Sequence, residues 1–109
     1  MSAVFRTVDL AWDGKTYAVK PTMALLNRIE NRVSLAALVR GLSTDAPPLS
    51  HMAFVLGEFL REAGARVDDA EVYRELMTGD TRDLLMMRDA IIMAVFPEPK
   101  KKGETQPDQ

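Results

Sequence analysis

The chain has no cysteine, which excludes a disulfide framework and any thiolate-based zinc or redox site. Its one histidine is His51, so a His-rich metal centre is excluded as well. No apolar run approaches the ~20 residues that a membrane-spanning helix requires. The first residues, Met1 to Phe5, lack the basic-then-apolar layout of a secretory signal, and the expected compartment is the cytoplasm. Neither sign of charge dominates. Against 16 Asp and Glu stand 14 Lys and Arg, a formal net charge of −2. That balance excludes a strongly basic nucleic-acid binder, although a local patch stays open.

What is present describes one small globular unit. Dividing 109 residues between two cores would leave roughly 50 for each, which is marginal without staples. Hydrophobic residues at 47% against charged residues at 28% are the balance of an ordinary folded domain. The domain is expected over residues 1–97. From Glu98 to Gln109 there is no large apolar residue, so this segment cannot bury enough surface to offset its ordering entropy and is expected to be a disordered tail.

The opening segment has a period of two. Val8, Leu10 and Trp12 alternate with Thr7, Asp9 and Ala11, as in a half-buried strand. Asp13-Gly14 follows, a pair suited to a tight hairpin turn because Gly tolerates positive φ. Tyr17 and Val19 then share one face, and Pro21, which has no N–H to donate, ends the second strand. The pattern predicts a β-hairpin of Phe5–Trp12 with Thr16–Lys20.

Beyond Pro21 the period becomes helical. Thr22 caps a stripe of Met23, Leu26, Ile29 and Arg32–Val33, and Ser34 caps Leu35, Leu38, Val39 and Leu42. A loop of turn residues from Ser43 to Pro48 leads to a helix expected to be capped by Ser50 and stopped at Gly64. Asp68 and Glu71 have capping-box spacing ahead of a helix over Asp69–Met77. Asp80 or Thr81 starts the last helix, and Pro97 ends it. The fold class expected is α+β, an N-terminal β-hairpin packed on a mostly helical domain of about five helices.

No constellation for catalysis, cofactor binding or metal binding emerges. His51 and Ser50 are neighbours on a helix and diverge, a poor base–nucleophile pair. Asp68, Asp69 and Glu71 lack calcium-loop spacing and suit a helix N-terminus. Glu58 and Glu62 read as a solvated face. The scattered glycines form no phosphate loop. Gly57 is the odd one, because mid-helix it costs about 1 kcal/mol relative to Ala; a close helix–helix approach or a kink would explain it. Arg28 and Arg32 share a face that could meet phosphate or pair with Glu30 and nearby acids.

Methionine is the informative excess. Of seven, Met86, Met87 and Met93 lie in the last helix. One stripe there holds positions 84, 88, 91 and 95, and a second holds 85, 86, 92, 93 and 96. A helix apolar on two faces is either central in the core or part of an interface, and Met-rich surfaces suit partners that are bound and released. Leu84, Leu85, Met86, Ile92 and Met93 are the candidate partner-binding residues.

The run from Val8 to Glu30, strand, Asp-Gly-Lys turn, strand, then a helix with Leu26-Asn-Arg-Ile-Glu30, resembles the opening of the tail assembly chaperones of long-tailed phages and gene-transfer agents. The Ser-Leu segment in Val33–Leu38 and the run Leu60-Arg-Glu-Ala-Gly-Ala-Arg-Val-Asp-Asp69 continue the resemblance, which covers about Val8 to Met77. It implies a non-enzymatic protein of the infected or lysogenic bacterial cytoplasm. Such a protein coats the tape-measure protein, brings tail-tube subunits to it and self-associates as a homo-oligomer. The alternative is a small regulatory or nucleic-acid-associated binding module using Arg28, Arg32 and Arg40.

Overall fold

The computed structural model describes residues 5–97; the segment 98–109, expected to be a disordered tail, lies outside the described residues. Two antiparallel strands, β1 (Val8–Trp12) and β2 (Lys15–Val19), precede five helices: α1 (Met23–Glu30), α2 (Leu35–Leu42), α3 (Leu49–Glu62), α4 (Asp69–Thr78) and α5 (Thr81–Val95). The α+β architecture is the one read from the sequence.

The hairpin closes on a two-residue loop. Asp13 has φ 51° and Gly14 φ 78°, the pair of positive values whose twist matches the flanking strands. Trp12 therefore pairs with Lys15, and the register runs to Val8 opposite Val19. β1 is shorter than expected, beginning at Val8, and β2 keeps its expected length but is shifted by one residue, spanning Lys15 to Val19. Pairing sets these limits, because a loop of only two residues brings Lys15 into the ladder. Val8, Leu10 and Val19 are buried, Trp12 and Tyr17 are half-buried, and Asp9, Ala11, Thr16 and Ala18 face outward.

Local hydrogen bonds place the helix starts. Thr22 Oγ1 accepts from Leu25 N–H at 3.1 Å and Ser34 Oγ from Ala37 N–H at 3.2 Å. Asp80 Oδ1 accepts from Asp83 N–H at 2.9 Å. At α4 the capping box is complete: Asp68 Oδ1 accepts from Glu71 N–H, and Glu71 Oε1 accepts from Asp68 N–H. Each satisfies donors that an open helix end leaves unpaired. α3 starts two residues earlier than its sequence suggests, at Leu49. Pro48 occupies the cap position and offers no side-chain cap. Ser50 thus lies inside the helix rather than ahead of it. Pro48 is extended at φ −77° and folds back so that its Cδ lies 3.0 Å from where a Cβ on Gly41 would stand.

α1 also ends sooner, at Glu30. Asn31 caps it and Val33 N–H donates to Ile29 O at 3.0 Å, so Arg32 and Val33 lie in a turn, with Val33 still buried. α3 stops in a double bond pattern, Ala65 N–H to Leu60 O at 2.9 Å and Gly64 N–H to Arg61 O at 3.1 Å. This requires the left-handed φ of 103° that Gly64 adopts.

α3 is the centre of the molecule. Met52, Val55, Leu56 and Phe59 are fully buried, and Ala53, Phe54, Gly57 and Leu60 are buried around them. Ile29 of α1, Leu38 and Leu42 of α2, Val72 of α4, Ile91 of α5 and Val19 of β2 join them in one cluster. No helix among the described residues is long and apolar enough to cross a membrane.

Candidate functional site

With α3 filling the centre, α5 lies to one side, against β1 and α3. Its inner stripe is closed: Ile91 and Ala94 are fully covered and Ala90 is buried, while Leu84, Met87 and Val95 are partly buried against the same cluster. Its outer stripe is open. Met86 is 60% exposed, Phe96 51%, Met93 44% and Leu85 43%, and Ile92 sits half-buried at the margin. At 100° per residue, Leu85, Ile92 and Phe96 align along one edge of this face and Met86 and Met93 along the other. Asp89, exposed between them, is held by the preceding Arg88, whose Nη2 donates to Asp89 Oδ1 at 3.1 Å.

The structure brings three of the five candidate contact residues to this face: Leu85, Met86 and Met93. Leu84 and, at the margin of the face, Ile92 are partly buried against the core. Phe96, which sequence reasoning assigned to the stripe but left out of the contact set, is among the most exposed large side chains. Its position in the second stripe, four residues after Ile92, was the signal.

Beside this face runs an open groove of ≈ 620 Å³ between β1 with its turn, α4 and the first half of α5. Trp12, Met86 and Met87 supply its apolar part. Asp9 and Asp13 from the hairpin, Glu71 and Glu75 from α4 and Asp83 from α5 also line it, with Arg66 and Arg74 the cations present. Met86 belongs both to the groove and to the outer stripe of α5. No sequence signal points to this groove, because its walls come from three segments far apart in the chain.

Two of the three arginines of the alternative nucleic-acid face have partners within the fold, and all three are exposed. Arg28 Nη2 reaches Glu58 Oε1 at 3.0 Å and Glu62 Oε1 at 3.1 Å. The hydrogen bond to Glu62, then that to Glu58, raises the Arg28 pKa above its ordinary value. Arg32 lies over the ring of Phe54, 4.3 Å from its centroid. Glu30, a candidate partner for both, instead accepts from Leu35 N–H at 2.9 Å at the start of α2. Among the described residues only Arg40 of the three has no such partner.

Glu58 and Glu62 are not a bare solvated face. Glu58, its side chain only 17% exposed, stands between Arg28 and Arg61. Arg61 continues the chain of charges to Asp69 Oδ1 at 3.0 Å and donates through Nη1 to Val67 O at 3.0 Å. The network ties α1, α3 and the start of α4 together.

His51 is exposed on α3. Among the described residues no three or more His, Asp or Glu side chains converge closely enough to hold a metal ion. No protein-family model, curated protein or solved structure matches the chain.

Proposed function

We propose that this chain is a non-enzymatic binding and assembly protein whose contact surface is the outer face of α5. The observation that carries the reading is the coexistence of two apolar stripes on one helix. Ile91 and Ala94 are already buried, so Leu85, Met86, Met93 and Phe96 are surplus to the core. An apolar face of this extent rimmed by polar residues suits a partner helix. Methionine, flexible and polarizable, suits a surface that is engaged and then released.

The resemblance over Val8–Met77 supplies the partner: the tape-measure protein, with tail-tube subunits brought to it during phage or prophage tail morphogenesis in the bacterial cytoplasm, by a homo-oligomer of this chain. The commitment of Arg28 and Arg32 to Glu58, Glu62 and Phe54 weighs against the nucleic-acid alternative.

The test begins with the genes around this one. A tail-tube gene on one side and a tape-measure gene on the other are expected, and a metabolic neighbourhood would overturn the assignment of partners. Co-expression with the neighbouring tape-measure protein then tests the face. Co-purification is expected for the native chain and lost in Met93→Glu; capture unchanged by Met86→Lys and Met93→Glu together would remove α5 as the contact surface.

A further inference from the structure

The groove beside α5 carries more negative charge than the chain as a whole. Five carboxylates and two guanidinium groups line it, a formal excess of three negative charges, whereas the whole chain has a net charge of −2. The imbalance is therefore local. Asp9, Asp13, Glu75 and Asp83 take no part in the ion pairs found among the described residues, nor do Arg66 and Arg74. Carboxylates that gather from three elements around apolar surface concentrate a negative potential there, and a cationic ligand relieves their mutual repulsion.

We infer that this groove receives a basic amphipathic segment of a partner polypeptide, one bearing Lys or Arg beside an apolar face. Two features select that occupant. Trp12, Met86 and Met87 line the groove with apolar surface, which a small polycation would leave uncovered. Met86 also continues into the open stripe of α5, so an apolar face resting on Leu85, Met86 and Met93 would present its adjoining cations to Glu75 and Asp83. A divalent ion is a poor fit, since no three acidic side chains among the described residues converge closely enough to hold one. A nucleic acid would bring phosphates against carboxylates. The inference rests on the proposed contact role of α5 for the apolar half of the contact and adds the charge that the partner must carry.

Two labelled amphipathic helical peptides of one pattern, leucine with lysine and leucine with glutamate, are titrated against the full chain by fluorescence anisotropy. The lysine peptide is expected to bind at least about tenfold more tightly than the glutamate peptide at low salt, with the ratio shrinking as ionic strength rises. The double variant Glu75→Lys with Asp83→Lys should bring that ratio close to one, and the milder Glu75→Gln with Asp83→Asn should lower it in part. Both pairs are exposed, and circular dichroism checks that the fold is retained. Equal binding of the two peptides by the native chain would overturn the groove inference while leaving α5 as an apolar contact surface. Loss of selectivity in the charge variants, with no effect of Met93→Glu, would support the charge half of the contact and overturn the α5 stripe as its apolar half. Binding of neither peptide would overturn the inference.

Discussion

Asp69, the first residue of α4, occupies the space that a side chain on Gly57 of α3 would need. Its Oδ1 lies where a Cβ at position 57 would collide, and it is 3.0 Å from Nη2 of Arg61, one turn along the same helix. Arg61 Nη1 would crowd the same Cβ at 2.9 Å. The mid-helix glycine that looks costly in the sequence is explained by an ion pair laid across it, not by contact between two helix backbones.

Gly57→Ala is therefore expected to show opposing effects. The helix gains about 1 kcal/mol of propensity, while the Asp69–Arg61 contact and the Arg61 bond to Val67 are pushed aside, at a cost of similar size. In the native background the two should cancel to within about 1 kcal/mol. In an Asp69→Ala background the tighter of the two clashes is gone and only the Arg61 side chain has to yield, so Gly57→Ala should be more favourable there than in the native background. Urea denaturation of the four proteins checks this, and equal stabilisation in both backgrounds would show that Asp69 is not the obstacle.

On α5 the two faces should separate cleanly by thermal unfolding. Ile91, fully buried, should cost about 2–4 kcal/mol when truncated to Ala, because a cavity is left in the core. Met86→Lys and Met93→Glu sit on the open face and should stay within about 0.5 kcal/mol of the native protein, while shifting self-association measured by analytical ultracentrifugation. A large stability loss from either would place the residue in the core.

The hairpin turn gives a third prediction. Gly14 has φ 78° with open space where its Cβ would be, so Gly14→Ala meets backbone strain alone and should lose about 1 kcal/mol. Asp13 adopts φ 51°, a conformation Asn tolerates well, and Asp13→Asn should be neutral or slightly stabilising. Chemical denaturation separates the two outcomes.

Arg28 and Glu58 join α1 to α3. Both partners of Glu58 are cations, and its side chain is mostly covered. Glu58→Gln should cost about 1 kcal/mol at low salt, and less as salt rises. Because the Arg28 pKa is raised in the folded protein, this group's contribution is fully present below its unfolded pKa. It disappears as pH climbs through the higher folded value, in strong alkali. Stability measured across neutral pH should accordingly show no loss that depends on Arg28, which a comparison with Arg28→Ala would reveal.

Much of the local structure was legible in the chain. The turn at Asp13-Gly14, the caps at Thr22, Ser34, Asp68 and Asp80, and the stop at Gly64 all depend on residues within a few positions of one another, whose hydrogen bonds form wherever the segment sits. A local reading missed at Ser50 and at the end of α1, where the structure shows contacts beyond the immediate neighbours. Pro48 folds back on Gly41, and Glu30 turns to the first turn of α2.

The packing was not legible in the same way. A helix apolar on two sides carries no mark of which side will be covered, so the last helix was open to either a central place in the core or an interface. Assembly of the chain gave that place to α3 and left Leu85, Met86 and Met93 outside. The meeting of Glu58 with Arg28 and Arg61, and the groove walled by β1, α4 and α5, arise from segments far apart in sequence. Short-range hydrogen bonding is written residue by residue, but the exposure of a face depends on which other elements compete to cover it, and that competition is resolved only when the whole chain packs.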